Sequence, residues 1–376
     1  MDIFIKALKE HKKYKGKMEI VSRVPLNNKE DLSTYYSPGV AAVASRLAKY
    51  PEQTSLYTNT HNSVAIVSDG SAVLGLGNIG PEGALPVMEG KAILFKKFAN
   101  IDGYPIVLNT QDPDEIISIV TAIAPSFGGI NLEDISAPNC FYIEEHLKKR
   151  LTMPIMHDDQ HGTAVVVLAG LINACKVTNR KLQDSKIVLI GAGAAGVAIA
   201  KLLYQYAKPN IITLDTKGVI TQNRTDLSPE KLILSSYSQH NTATNLKEAL
   251  KEADIFIGVS KSNLLTKEMI QSMAKDPIIF ALANPNPEIT PKDAISAGAA
   301  VVATGRSDYP NQVNNVLAFP GLFRGALDNK STINESHKLA AAEAIANIIN
   351  SPSKTQIIPS PFDKNVTKAV AAIYKK

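Results

Sequence analysis

Very little in this sequence points away from a reducing, aqueous compartment. Cys140 and Cys175 are its only two cysteines. They are too few for a metal cluster of their own or for a disulfide framework, and each reads as a small buried apolar residue. No run approaches the roughly 18 apolar residues that a membrane span needs. Residues 1 to 17 mix Asp, Glu and Lys with apolar positions, unlike a secretory signal. There is no internal repeat and no low-complexity linker. Charge of one sign is not concentrated either. The formal net charge is +5, with lysines and acids interleaved along the chain, which speaks against a nucleic-acid footprint. The expectation is a cytoplasmic protein with neither membrane nor nucleic-acid partners.

What is present is enough apolar sequence for a large core. Hydrophobic residues make up 45% of 376 positions, and that length suggests two domains. Helical text runs from Ile3 to Lys49 with a break at Ser37-Pro38-Gly39. A strand and glycine-rich turn follow over Val64 to Gly80, then a helix from about Gly90 to Ala99. Short strands are expected at Tyr104–Leu108 and Gly129–Ile135, with helices at Ile116–Ala124 and Phe141–Leu151. A long apolar helix opens near Gly162 and runs through Thr163–Lys176. Strands at Lys186–Ile190, Ile211–Leu214, Ile255–Val259, Ile278–Leu282 and Ala300–Ala303 then alternate with helical stretches, ending in a helix over Glu335–Ile349. Such alternation predicts an α/β protein with parallel sheets. The division is placed at 1–161, an N-terminal α/β substrate and metal domain, and 162–376, a Rossmann-like dinucleotide domain. The last helices are free to pack back on the first.

The strongest local motif is Gly191-Ala192-Gly193-Ala194-Ala195-Gly196. It follows an apolar strand and opens a helix. Gly191 permits the tight turn, Gly193 lets backbone approach a pyrophosphate, and Gly196 lets the helix lie close to the strand. The helix N-terminus then offers N–H groups to phosphate. The next strand ends at Asp215, about 20 residues after the glycines, where a carboxylate accepts hydrogen bonds from ribose hydroxyls. Asp215 would repel a 2′-phosphate, which favours NAD over NADP, and Lys217 partly offsets that repulsion. A second glycine motif, Gly75-Leu-Gly77-Asn-Ile-Gly80, is continued by Pro81-Glu82-Gly83 rather than by an obvious helix. It reads as a turn that shapes a site.

Two acidic pairs end apolar segments, Glu133-Asp134 and Asp158-Asp159. Oxygen ligands of this kind suit Mg²⁺ or Mn²⁺, while exposed turn acids or helix caps are the plainer reading of either pair alone. His157-Asp158-Asp159-Gln160-His161 also resembles a zinc-protease motif. That motif needs both histidines on one helical face and a Glu as base, and the helix is expected to begin too late for it.

Taken together, the motifs resemble the malic enzymes, specifically the compact bacterial type. The resemblance runs through Val24-Pro25-Leu26, Asp31-Leu-Ser-Thr-Tyr-Tyr36-Ser-Pro-Gly, Gly75 to Gly80, Pro86-Val-Met-Glu-Gly-Lys91 and Asn131-Leu-Glu-Asp-Ile135. His157 to Ala164, Asn284-Pro285 and Asn314-Asn315-Val316 complete it. It implies Glu133, Asp134 and Asp159 as metal ligands, Lys91 as general base, Asp158 as the neighbour that tunes it, and Tyr36 as general acid. It implies Asn284 and Asn315 as contacts to substrate or nicotinamide. Larger members carry an arginine where this chain has Ala72, so another group must meet the distal malate carboxylate. Arg306 is one candidate and the N–H groups after Pro38 are another. The family also implies a homodimer.

The implied reaction is oxidation of L-malate with decarboxylation to pyruvate. Lys91 must lose its proton to serve as base, and metal charge with burial is expected to outweigh Asp158 in lowering its pKa. Three alternatives follow from the same residues: another two-domain dehydrogenase of glutamate type, a malolactic conversion, and a dinucleotide-sensing module without catalysis.

Overall fold

Two largely parallel sheets, whose central strands are buried on both faces, organise the chain. The structure, a computed structural model, describes residues 2–73, 75–238 and 241–375. The first sheet comprises β1 (Ser63–Ser68), β2 (Asp102–Val107), β3 (Gly129–Leu132) and β4 (Ile155–His157), in the order β2-β1-β3-β4. The second comprises β5 (Lys186–Ile190), β6 (Asn210–Asp215), β7 (Gly218–Val219), β8 (Ile255–Gly258), β9 (Ile278–Ala281) and β10 (Val301–Thr304), in the order β10-β9-β8-β5-β6-β7. Every pairing is parallel except the β6–β7 hairpin. β1, β3, β8 and β9 are buried along their whole length. That is why they read as continuous apolar runs rather than as alternating ones.

In both sheets the order reverses beside the first strand. β2 and β3 flank β1, and β6 and β8 flank β5. A crevice therefore opens at the carboxyl ends of the strands at each reversal, the usual ligand position in open α/β sheets. The helix Asp158–Val177 follows directly on β4 and leads towards the second sheet, buried at every residue from Ala164 to Leu171. Its apolar surface joins Val64, Ile66 and Phe95 of the first unit and Ile187 and Leu189 of the second into one core. The C-terminal segment returns to the first unit. Phe319 and Phe323, on the helix Phe319–Asp328, pack edge-on against Phe95 at centroid distances of 4.7 and 5.4 Å.

Several sequence expectations shift here. The long helix opens at Asp158, not near Gly162. His157 stands as its N-cap, and Asp158 and Asp159 occupy the first turn, where carboxylates meet unpaired N–H groups and the positive end of the helix dipole. Gly162 is therefore not a break. A Cβ there would lie 1.8 Å from Asp158 Oδ1, so glycine is what lets the Asp158 side chain fold along the helix. The helix expected from Gly90 begins at Gly80, because Pro81 fits the first helical turn, where its missing N–H costs nothing. The second glycine motif is thus followed by helix after all. The N-terminal stretch is three helices, Ile3–Tyr14, Lys29–Tyr35 and Val40–Lys49. Left-handed φ values at Lys15 and Gly16, 53° and 111°, end the first. The helices Phe319–Asp328 and Asn365–Ala372 were not anticipated. Among the described residues, no helix is long and apolar enough to cross a membrane.

Candidate active site

Strand register brings the two acidic pairs together. Leu132 at the end of β3 pairs with His157 at the end of β4, so Glu133-Asp134 and Asp158-Asp159 leave neighbouring strands at the same edge. Asp134 turns through a left-handed conformation, φ 53°, and its N–H donates to Asp159 Oδ2 at 2.8 Å. Asn131 Nδ2 donates to Glu133 Oε2 at 2.8 Å. The outcome is one carboxylate oxygen each from Glu133, Asp134 and Asp159, all within 4.8 Å of one another.

Lys91 enters this group from the helix Gly80–Ala99. Its Nζ lies 2.6 Å from Asp158 Oδ2 and 2.8 Å from Glu133 Oε1, with the Phe319 ring centroid 4.4 Å away. Lys91, Glu133, Asp134 and Asp158 are all buried. Burial drives the carboxyls upward, with Lys91 opposing it: Asp158 is pushed up to about 7 and Asp159 to about 6, and Glu133 is also raised. Burial alone would lower the pKa of Lys91, but Asp158, Glu133 and Asp159 together more than reverse it. The expected lowering is therefore not what the protein groups produce by themselves, because three carboxylates face the ammonium rather than one. An acid-rich buried cluster with a single counter-charge fits a hard divalent cation, whose charge would offset the crowding of like charges.

The cluster opens onto a cleft of about 530 Å³ between the sheets, whose lining includes Ala72, Asp134, Asp159, Gly193, Asn284 and Asn315. Its far wall is the β5 turn. Gly191 takes a φ of 111°, and a Cβ on Gly196 would lie 1.7 Å from Gly191 O, so the close approach of helix Ala194–Ala207 to β5 requires glycine there. A Cβ on Gly193 would meet nothing within 4 Å, leaving room against the backbone. Ala194 and Ala195 line the same cleft, while Ala192 is buried behind them. This cradle fits the pyrophosphate of a dinucleotide.

Two family models match in series: malic enzyme, N-terminal domain, over residues 15–148, and malic enzyme, NAD binding domain, over residues 160–374. The chain belongs to the malic enzyme family. It is 54% identical over 381 aligned residues to the bifunctional malic/malolactic enzyme of Bacillus subtilis, covering 100% of this chain and 93% of the relative. It is 53% identical to the NAD-dependent malic enzyme of Geobacillus stearothermophilus, covering 94% and 75% respectively. The solved NAD-dependent malic enzyme of Thermotoga maritima superposes with a TM-score of 0.95 at 50% identity, with 98% of each chain covered.

Within this malic enzyme fold, not every expected residue reaches the cleft. Tyr36 is 68% exposed, in an N-terminal segment where no described residue before Asn62 is buried. Arg306 holds Asp308 through two contacts of 2.8 and 2.7 Å and donates to Pro285 O at 3.2 Å, so most of its donors are already engaged. The Gly75 turn does shape the site: a Cβ on Gly75 would lie 2.2 Å from Asn284 O. The histidines of the zinc-like motif do not converge. His161 Nε2 lies 2.7 Å from Glu144 Oε2, and Lys338 donates to its Nδ1 at 2.9 Å.

Two acids went unnoticed in the sequence. Glu144 accepts from His161 and from the N–H of His157 at 3.0 Å, clasping both ends of the turn that carries Asp158 and Asp159. Glu288 is fully buried. It accepts the N–H groups of Ser260 and Ala283, both at 3.1 Å, and so joins two loops of the cleft. Its signal was a lone carboxylate just after the prolines of Asn284-Pro285-Asn286-Pro287.

Proposed function

We propose that the chain catalyses the oxidative decarboxylation of L-malate to pyruvate and carbon dioxide, reducing NAD or NADP and requiring Mg²⁺ or Mn²⁺. One observation carries this reading: the cluster of Lys91, Glu133, Asp134, Asp158 and Asp159 reaches, through Asp134 and Asp159, the cleft that Gly193 and Asn284 also line. A dinucleotide held by Gly191 to Gly196 would accept the hydride from C2 of malate. A divalent cation held by Glu133, Asp134 and Asp159 would polarise the substrate oxygens and, by engaging carboxylates that face Lys91, let burial lower its pKa.

The chain's own residues do the rest. Lys91 takes the proton of the C2 hydroxyl and passes it towards Asp158, its 2.6 Å partner. Asn284 and Asn315, both lining the cleft, orient malate and nicotinamide. Ala72 offers no charge to the distal carboxylate, and Arg306 serves there only by releasing Asp308. Tyr36, protonating C3 after decarboxylation, acts from a homodimer. Phe4, Leu8, Ile20, Leu26 and Leu56 are all exposed on the segment that carries it, and apolar exposure on this scale suits a covered interface.

The test is steady-state turnover of L-malate with each cofactor, with and without EDTA, followed by the absorbance of reduced cofactor. Turnover that survives the chelator rejects the metal assignment. A Tyr36→Phe variant should lose pyruvate formation while remaining folded. The name of the Bacillus subtilis relative favours a second reading, malolactic conversion. Lactate formed without accumulation of reduced cofactor would identify it.

A further inference from the structure

At the end of β6, Asp215 is not waiting for a ribose. Its carboxylate accepts four hydrogen bonds from three residues. Oδ1 accepts from Arg224 Nη1 at 2.8 Å and from the N–H of Lys217 at 2.9 Å. Oδ2 accepts from Arg224 Nη2 at 3.1 Å and from Lys231 Nζ at 2.9 Å. A carboxylate offers about four lone-pair sites, so the acceptor capacity of Asp215 is filled, and its side chain is only 6% exposed. Three of its four donors are cationic side-chain nitrogens that ribose hydroxyls would have to displace. The cluster extends outward: Arg224 also holds Asp226 through Nε and Nη2, both at 2.9 Å, and Lys217 Nζ lies 2.8 Å from Asp226 Oδ2. Lys217, Arg224 and Lys231 against Asp215 and Asp226 leave three positive charges against two negative, a net of +1.

We infer that Arg224 and Lys231 set cofactor choice in this chain and admit the 2′-phosphate of NADP. This rests on the reading of Gly191 to Gly196 as the dinucleotide site. Asp215 alone, at the end of the strand after the glycine motif, is the usual bar to a 2′-phosphate. Here its charge is neutralised twice over, and a phosphate arriving beside it meets a cationic rim. Lys231 is 30% exposed and Lys217 67% exposed, so both have the freedom to turn from carboxylate to phosphate. Arg224, held between two carboxylates, keeps the platform in place while they do. The geometry thus opposes the preference for NAD that the acid at this position predicts from sequence.

The test separates binding from turnover. Adenosine 2′,5′-bisphosphate and AMP are titrated into the full-length protein by calorimetry. The wild-type chain should bind the bisphosphate several-fold more tightly, with the advantage shrinking as salt rises. Lys231→Ala should cost the bisphosphate about tenfold and AMP less than about twofold, in line with loss of a hydrogen bond to a charged group. Lys231→Arg should restore most of it. Arg224→Ala should give the larger loss, and Lys231→Ala stands in for it if that variant does not fold. In malate oxidation, Lys231→Ala should lower kcat/KM with NADP and leave NAD nearly unchanged. Equal affinity for the two nucleotides in the wild type, or equal losses for both in Lys231→Ala, overturns the inference. Either result leaves malate turnover with NAD intact. A chain that binds both nucleotides yet never oxidises malate would instead overturn the functional reading.

Discussion

Two ion clusters sit at the carboxyl ends of parallel strands, and they are built in opposite senses. At the first sheet, Lys91 faces Glu133, Asp158 and Asp159 in a buried setting where acids outnumber bases. At the second, Asp215 and Asp226 are outnumbered by Lys217, Arg224 and Lys231 in a half-open setting. In the first, burial dominates and the acids rise, Asp158 to about 7 and Asp159 to about 6. In the second, burial is overcome by hydrogen bonds from Arg224 and Lys231, and Asp215 is held down to about 2. The same residue types would therefore suit a cation in the first place and, on the inference above, an anion in the second. What decides it is the ratio of charges and their access to water.

This contrast can be broken most sharply at Lys91. Lys91→Ala should reduce malate oxidation by roughly a hundredfold to ten-thousandfold, the usual worth of a positioned base. A rate within a few-fold of wild type would remove Lys91 from the chemistry. Loss of its charge also leaves Glu133 and Asp158 unpaired, so a melting curve belongs beside the kinetics, and Lys91→Arg separates charge from proton transfer.

A smaller effect is expected at Gly162. Its substitution by Ala forces a methyl against Asp158 Oδ1, at 1.8 Å before any relaxation. The Asp158 carboxylate must then move, which disturbs its contact with Lys91, and activity should fall about tenfold or more while the chain still folds. Unchanged kinetics would mean that the Asp158–Lys91 contact is dispensable.

The smallest effect lies in the second cluster and concerns pH. The folded-state pKa of Asp215 is depressed, so the stability it contributes is present above its ordinary value near 4 and is lost as pH falls through about 2. Asp215→Asn should therefore lower the urea midpoint at about pH 5, with the gap to wild type narrowing as pH drops through that window. A gap that stays constant down to low pH would show that ionisation of Asp215 contributes nothing to stability.

Much of this was legible in the linear sequence. The β5 strand was placed to the residue, since the apolar run Ile187 to Ile190 followed by glycines leaves little choice. The acidic pairs could be picked out because each ends an apolar segment. Other features resisted reading for a physical reason. Gly162 and the Gly80–Pro81 pair look like breaks, yet Pro81 suits a first helical turn, and Gly162 is tolerated inside a helix because Asp158 fills the space of its missing Cβ. Glu144, Glu288 and Arg224 have partners as far as 17, 28 and 9 residues away, and no local pattern announces such pairs. Tyr36 was named from its surrounding motif, and the structure leaves it exposed in a segment with no buried described residue before Asn62.

By itself the sequence determined the element types, the glycine turn of the dinucleotide site and the identity of the acids, because these depend on local periodicity, backbone freedom and ionisable chemistry. Tertiary structure decided which charges meet. The register of β3 against β4 gathered Glu133, Asp134, Asp158 and Asp159 around Lys91, and the loop after β7 carried Arg224 back onto Asp215. Electrostatic balance is a property of distances and burial, and only the fold sets those.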